Sequence, residues 1–154
     1  MSTEIALREA TLDDRLTLWS WYREPLRRIV FPSDHEISRE QHKKWWQDME
    51  ANPNVSLFIG LVDIIRIGCV RCQRDGDNGV ELFPYLKPAY HRQNLMAPFL
   101  SAVMNHYADT HPVAGFRLNA INANPRIVDI LPPGAHAEST EKDHQTIFHW
   151  AAGT

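Results

Sequence analysis

Between Gly79 and Tyr107 the apolar residues first follow a strand pattern and then a helix pattern, and the rest of the chain is arranged around this stretch. A strand interrupted by Pro84 is predicted from Val80 to Leu86, followed by a turn and a short polar segment. The next helix is predicted from apolar residues at helical spacing: Phe99, Leu100, Val103, Met104 and Tyr107. The start of a helix gathers free backbone N–H groups and a positive dipole end, so this stretch predicts an anion site, most naturally for phosphates.

Two earlier helices are predicted, and each begins at a capping box. Thr11 with Asp14 begins the first helix, and Ser38 with Gln41 begins the second, which is expected from about Arg39 to Ala51. The first helix is expected to bury one apolar face made of Leu12, Leu16, Trp19 and Tyr22. The second is expected to place its large side chains on one side: Trp45, Trp46 and Met49.

Alternating apolar positions predict the strands of a single sheet. Four of them are predicted from Glu4 to Glu9, from Val55 to Asp63, from Phe116 to Asn122 and from Gln145 to Trp150. Another follows the second of these, with Ile65, Ile67 and Cys69 expected on one face. A short helix is expected from Pro125 to Leu131. Because strand, helix and strand follow one another around Gly79 to Tyr107, one connection is a right-handed parallel crossover. The fold class is therefore α/β, with a mixed, mostly antiparallel sheet flanked by helices.

Composition narrows the functional classes. The 154 residues are 44% hydrophobic and 23% charged, which fits one globular domain over residues 1–154. Lys and Arg number 16 against 19 Asp and Glu, and the net charge of -3 does not favour nucleic acid as a partner. We see no run of about 20 apolar residues for a membrane span. Cys69 and Cys72 are expected to point to opposite faces as reduced thiols, which suits a cytoplasmic protein, and no metal spacing is found among the histidines.

Several segments together resemble the GNAT superfamily of acyl-CoA-dependent N-acyltransferases, over roughly Ile5 to Leu131. The matching segments are Ile5 to Asp14, Ile67 to Arg71, Val80 to Leu82, Arg92 to Ala97, and the segment that begins at Asn124. The resemblance implies acetyl-CoA as cosubstrate and a small-molecule amine as acceptor. It also implies that the strand containing Pro84 bulges away from its neighbour, so that the pantetheine arm enters the gap.

The resemblance also implies roles for particular residues. Glu81 occupies the place of a general base, with an ordinary salt bridge as the competing interpretation. Tyr85 is a candidate to protonate the departing thiolate, with packing of its ring as the alternative. Cofactor contacts are expected from Leu82, Phe83, Arg92, Gln93, Asn94, Leu95, Met96, Ala97 and Asn124. The family loop usually has a glycine where this chain has Leu95, and a frequent catalytic tyrosine is absent near Leu131.

The acceptor side is expected between the two early helices. The stretch from Phe31 to Trp45 is similar to members that acetylate amino groups of nucleotide-linked sugars, and more loosely to members that acetylate protein N-termini. Substrate contacts are expected from Arg28, Phe31, His35 and Trp45, because aromatic rings and arginines suit stacking and phosphate pairing. A catalytically weak or inactive binding module, a protein N-terminus or modified nucleic-acid base as acceptor, and a homodimer all remain open.

Overall fold

The computed structural model describes residues 4–22, 38–76, 78–90, 92–121, 131–140 and 145–151. Its strands are β1 (Ala6–Glu9), β2 (Val55–Val62), β3 (Ile65–Arg74), β4 (Gly79–Leu86), β5 (Gly115–Ile121), β6 (His136–Thr140) and β7 (Gln145–Ala151). Its helices are α1 (Arg15–Tyr22), α2 (Arg39–Ala51) and α3 (Met96–Thr110), with short 3₁₀ turns at Leu12–Asp14 and Pro88–Tyr90. The predicted helix from Pro125 to Leu131 falls outside these residues except at Leu131.

The described strands form one sheet in the order β1-β2-β3-β4-β5-β7-β6. Every neighbouring pair is antiparallel except β4 and β5, which are parallel and joined through α3. The predicted fold class and crossover are therefore confirmed. The sequence pattern did not predict β6, which lies at the edge of the sheet beyond β7.

Two apolar clusters lie on opposite sides of the sheet. The larger packs α3 against the strands, and all five residues predicted for the apolar face of α3 are buried in it. The smaller packs Leu18 and Trp21 of α1 and Trp46 of α2 against β2, β3 and β4. Cys69 and Cys72 belong to different clusters, as expected from their odd spacing. Helix α2 has the predicted bounds and capping box.

The buried face of α1 is not the one predicted. Leu12 and Leu16 are 66% and 55% exposed, whereas Asp14, Leu18 and Trp21 are buried. The carboxylate of Asp14 accepts from Arg8 Nη1 and Nη2 at 2.7 and 2.8 Å and pairs with Arg66 Nε at 2.9 Å. It also accepts from the backbone N–H of Thr11 at 2.7 Å. Since residues 14, 18 and 21 share one helical face, anchoring Asp14 turns that face inward.

The expected single face of Ile65, Ile67 and Cys69 is also wrong. Gly60 pairs with Gly68 and Leu61 pairs with Arg66, so Ile67 is the extra residue of a β-bulge. Past the bulge the alternation shifts by one residue, which sends Ile67 to the α3 side and Cys69 to the α1 and α2 side. Gly68 is required here, because a Cβ would lie 2.1 Å from the carbonyl oxygen of Tyr85.

Candidate active site

The sheet divides between β4 and β5. Their pairing covers four residues on each strand and ends at Leu82 and Leu118. Beyond that point β4 continues against β3 to Leu86, and β5 continues against β7 to Ile121. Pro84, which has no backbone N–H to leave unpaired, lies within the separated part of β4. A parallel pair that opens after four residues leaves a gap in the middle of the sheet, and we call it the split.

The loop after β4 leads to the start of α3. Arg92, Gln93 and Asn94 are exposed. The side chain of Leu95 is 5% exposed and packs in the larger core cluster, as does that of Met96. Asn94 has φ of 55°, whereas Leu95 has φ of -92°. The left-handed position in this loop therefore belongs to asparagine, which tolerates it better than most residues do, and Leu95 causes no backbone strain.

The start of α3 has few hydrogen-bond donors to offer an anion. The first N–H groups of a helix have no acceptor within it, and here Met96 and Ala97 supply two of them. Pro98 supplies none, and the N–H of Phe99 already donates to the carbonyl of Leu95 at 2.9 Å. Contact with a phosphate by residues 95 to 97 would therefore be through backbone N–H groups. The predicted contact of Arg92 with the cofactor stays a prediction.

Glu81 lies on β4 one residue before the split. Its Oε1 accepts from Arg117 Nε at 3.2 Å and from Arg117 Nη2 at 3.1 Å, and the two residues are paired across β4 and β5. Arg117 Nη1 donates to Asp75. Burial opposes the charge of Arg117, but hydrogen bonds to Asp75 and Glu81 and the charges of both raise its pKa. The salt bridge that the competing interpretation expects for Glu81 is thus present, with Arg117 as its partner, while the catalytic role of Glu81 stays a prediction.

Tyr85 is packed rather than open. It is 3% exposed and stacks on Trp21, with ring centroids 5.4 Å apart and planes at 27°. Tyr85 and Glu81 lie on the same face of β4, as their spacing requires. Between them, Phe83 is half-buried beneath the guanidinium of Arg71, whose carbon lies 4.0 Å from the ring centroid. Leu82 points to the opposite side and is buried in the larger cluster.

The structure describes one of the four residues that are predicted to bind the acceptor. Trp45 is half-buried against the smaller cluster and lines a shallow cavity of about 170 Å³ with Asp48 and Arg71. Arg28, Phe31 and His35 lie outside the described residues, as does Asn124. The structure thus leaves the predicted roles of these four residues as predictions.

Pairing across the sheet brings together polar residues that sequence reasoning missed. Gln73 pairs with Glu81, Glu81 with Arg117, Arg117 with His149, and His149 with His136. Paired residues share a face, so these side chains form one polar row across five strands. Arg117 lies between the apolar residues Phe116 and Leu118. In the same way, His149 lies between Phe148 and Trp150. This alternation was the sequence signal that could have placed both polar side chains on one face of the sheet. Beside the row, Asp75, Arg117, His136 and His149 line a cavity of about 570 Å³.

The described part of the chain shows neither a reactive thiol nor a metal site. Burial raises the pKa of the Cys69 thiol to about 12 and that of Cys72 further, so neither thiol is a nucleophile near neutral pH. No group of three His, Cys, Asp or Glu side chains there is arranged to hold a metal ion. Across the same residues, none of the helices is both long enough and apolar enough to span a bilayer.

A split parallel pair beside a helix start is the arrangement that the resemblance to acyl-CoA-dependent transferases implies. Residues 4–132 match the family described as acetyltransferase (GNAT) domain. The chain belongs to the GNAT acetyltransferase family. A comparison with curated proteins finds no similar sequence.

Solved structures with the same fold extend over nearly the whole chain. Spermidine N-acetyltransferase from Vibrio cholerae, solved with CoA and spermine, has a TM-score of 0.78 at 11% identity, covering 96% of this chain and 94% of that one. Aminoglycoside acetyltransferase AAC(6')-Ib, solved with coenzyme A, has a TM-score of 0.80 at 12% identity, covering 97% and 95%. The N-acetyltransferase PseH from Campylobacter jejuni has a TM-score of 0.71 at 11% identity, covering 97% and 99%.

The expected cosubstrate, acetyl-CoA, agrees with the family and with the coenzyme A in the first two of these structures. The residues present also fit it. Past Leu82, β4 no longer pairs with β5, and the start of α3 offers N–H groups beyond the end of β4. The missing glycine at Leu95 does not oppose this fit, because Asn94 supplies the left-handed residue of the loop.

Proposed function

We propose that this protein transfers an acetyl group from acetyl-CoA to a primary amine of a small molecule. The observation that carries the proposal is the split between β4 and β5, which opens one residue beyond Glu81. A carboxylate at the base of a gap that fits a pantetheine arm is where a base for the incoming amine is needed.

Each part of the site has a role in this proposal. Backbone groups of Leu82 and Phe83 bind the pantetheine, and an N–H of this segment polarises the thioester oxygen. Backbone N–H groups of Asn94 to Ala97 bind the pyrophosphate at the helix start, and Arg92 and Gln93 contact it from the loop. Asn124 is proposed as a further cofactor contact, by resemblance alone.

Glu81 is proposed as the general base. It removes one proton from the acceptor ammonium, directly or through a water molecule, so that the nitrogen lone pair becomes available. Bound acetyl-CoA supplies the acetyl group as a thioester, so an N–C bond forms as the C–S bond breaks and the thiolate leaves. The second proton of the nitrogen goes to that thiolate, and Tyr85 is the candidate to relay it.

For the acceptor we propose the amino group of a nucleotide-linked sugar as first choice. Trp45 and Arg71 beside the smaller cavity offer a stacking surface and a cation, and Arg28, Phe31 and His35 are expected to add to them. The cavity of about 570 Å³ beside Arg117 is within the range of small-molecule sites and adjoins Glu81 through that arginine. It is the proposed place for the body of the acceptor, with the amino group directed past Arg117 towards Glu81.

Calorimetry and a thiol-release assay test the proposal together. Acetyl-CoA is expected to bind with a Kd in or below the range of about 1 μM to 1 mM that is typical of KM values. Free thiol is expected to appear only when an amine is present, across a panel of amino sugars, nucleotide-linked amino sugars, polyamines and N-terminal peptides. Absence of acetyl-CoA binding at millimolar concentration would exclude the proposal.

Two observations favour a second candidate, a binding module that holds acetyl-CoA without turnover. Glu81 already has a cationic partner, and Tyr85 is covered by Trp21. In that case calorimetry detects acetyl-CoA, but no amine in the panel releases thiol. The acceptor alternatives keep the chemistry and differ only in which panel member reacts.

A further inference from the structure

The ion pair of Glu81 is more constrained than an ordinary pair on a protein surface. Arg117 directs two of its donors at a single oxygen of Glu81, Oε1, and a third at Asp75. The backbones of residues 81 and 117 are also held in register by the parallel pairing. The guanidinium therefore cannot rotate without breaking contacts to both carboxylates, and this fixes Oε1 in turn.

The other oxygen of Glu81 is left open. No residue in the described part of the chain donates a hydrogen bond to Oε2, and 23% of the side chain is exposed. A carboxylate can accept several hydrogen bonds, so Oε2 keeps its capacity to bind a water molecule or an ammonium group. Among the described residues, Oε1 is held by Arg117 and Oε2 has no donor.

The array of Asp75, Arg117 and Glu81 lies close to the split. Glu81 and Arg117 form the last pair but one before the split, and only Leu82 and Leu118 come between them and the opening. The cavity of about 570 Å³ reaches Arg117 and Asp75 from the other side. The arginine thus lies between the cavity proposed for the acceptor and the carboxylate proposed as base.

We infer that Arg117 is a positioning residue for Glu81, holding Oε1 so that Oε2 is presented to the acceptor nitrogen, with Asp75 fixing the arginine. This inference rests on the proposed function. A base must lie within hydrogen-bond reach of the proton that it removes, and small displacements of catalytic groups cost large factors in rate. Arg117 therefore acts on kcat through Glu81 and not through binding of acetyl-CoA.

A double-mutant cycle tests the inference, with kcat and KM for the best amine of the panel as readouts. Glu81→Gln is expected to lower kcat by roughly 100-fold or more, the scale of general-base catalysis. Arg117→Gln is expected to lower kcat by roughly 10-fold, while the Kd for acetyl-CoA changes by less than about 2-fold. In the Glu81→Gln background, Arg117→Gln is expected to have no further effect on kcat, because there is no base left to position.

Three further variants control the cycle. Arg117→Lys is expected to recover part of the loss, since an ammonium can pair with Oε1 but lacks the rigid fork. It also replaces Arg117→Gln in the cycle if thermal melting shows that the glutamine variant is unfolded. Asp75→Asn is expected to lower kcat less than Arg117→Gln. Arg74→Gln is the matched control, because Arg74 donates to the carbonyl of Pro112 and does not contact the array.

The outcomes separate this inference from the proposed function. If the wild-type protein is active and the losses from Glu81→Gln and Arg117→Gln multiply, Arg117 does not act through Glu81 and the inference is wrong. If the wild-type protein is active and Glu81→Gln has no effect, the base is misassigned and the inference fails while the transferase remains. If no amine is acetylated at all, the proposed function is wrong and the inference is wrong with it.

Discussion

Asp14 before α1 and Glu81 on β4 each receive an arginine from a neighbouring strand, and the two pairs differ in what is left over. Asp14 is fully buried, and both of its oxygens accept hydrogen bonds, one from Arg8 and the other from Arg8 and Thr11, while Arg66 adds an ion pair. Glu81 is partly exposed and is bonded through Oε1 to Arg117. Among the described residues, pairing with arginine thus occupies both oxygens of Asp14 but only one oxygen of Glu81.

The difference teaches how to distinguish a structural ion pair from a candidate site. A buried carboxylate whose oxygens all have partners joins secondary-structure elements together. Its removal leaves the arginines that it paired with buried and without a counter-charge. An arginine beside a carboxylate does not by itself mark either role. The number of oxygens left open, and the adjacent cavity, indicate which carboxylate is available for chemistry.

Replacement of Asp14 gives the largest expected effect on stability. Asp14→Asn is expected to lower the free energy of unfolding by roughly 3–5 kcal/mol, because the arginines of β1 and β3 lose a buried partner. Glu81→Gln is the matched variant and is expected to cost less than about 1 kcal/mol, since its pair is partly exposed. Urea unfolding measures both. Equal losses of stability would contradict the contrast between the two carboxylates.

The loop before α3 contains a similar contrast between neighbours. Leu95→Gly restores the family glycine but is expected to cost about 3 kcal/mol, because it empties a buried site in the core. Asn94→Gly is the control, with a change expected within about 1 kcal/mol, since Asn94 is exposed and already has positive φ. If Leu95→Gly leaves stability unchanged and tightens acetyl-CoA binding, the assignment of the left-handed position to Asn94 is wrong.

Two groups are expected to make stability fall on acidification, His42 of α2 at higher pH and Asp14 at lower pH. Burial, with help from the charge of Arg15, lowers the pKa of His42 to about 4 from an ordinary 6.5. The unfolded chain therefore binds this proton first, and stability is expected to fall by roughly 2–3 kcal/mol as pH drops from about 6.5 to 4.

Asp14 loses its contribution only at lower pH. Its hydrogen bonds from Arg8 lower its pKa to about 2, despite the opposing effect of burial, so its stabilisation is lost as pH falls from about 3.8 to 2. Unfolding free energies measured across pH 7 to 4 check the first window, and His42→Gln is expected to flatten that slope. A slope that His42→Gln leaves unchanged would assign the effect to another group.

The smallest expected effect concerns Tyr85. Tyr85→Phe keeps the ring that stacks on Trp21 and removes only the hydroxyl, so kcat is expected to change by less than about 3-fold if packing is its main role. A loss on the scale of general-acid catalysis, roughly 100-fold, would instead assign Tyr85 to protonation of the thiolate. Trp21→Phe provides the packing control.

Local patterns predicted much of the fold. Capping boxes and helical spacing predicted the bounds of α2 and the buried face of α3, and alternating apolar positions located the strands on either side of the crossover. The errors arose where distant residues decide the outcome. The buried face of α1 depends on arginines from β1 and β3, and the side-chain directions in β3 depend on a bulge opposite Gly60.

The candidate site was predictable in position but not in detail. The strand, loop and helix around Pro84 could be located from the sequence, because each follows a local pattern. The partner of Glu81 could not be, since Arg117 reaches it only through the parallel pairing of β4 with β5. A glycine pattern also does not reveal which loop residue adopts positive φ, which here is Asn94.

The central claim is that Glu81 at the base of the split is the base of an acetyl transfer. The most direct test is kcat for amine-dependent thiol release at saturating acetyl-CoA, in the wild-type protein and in Glu81→Gln. We expect measurable turnover in the wild type and a loss of roughly 100-fold or more in the variant, with acetyl-CoA binding retained. Equal turnover in the two proteins would contradict the account.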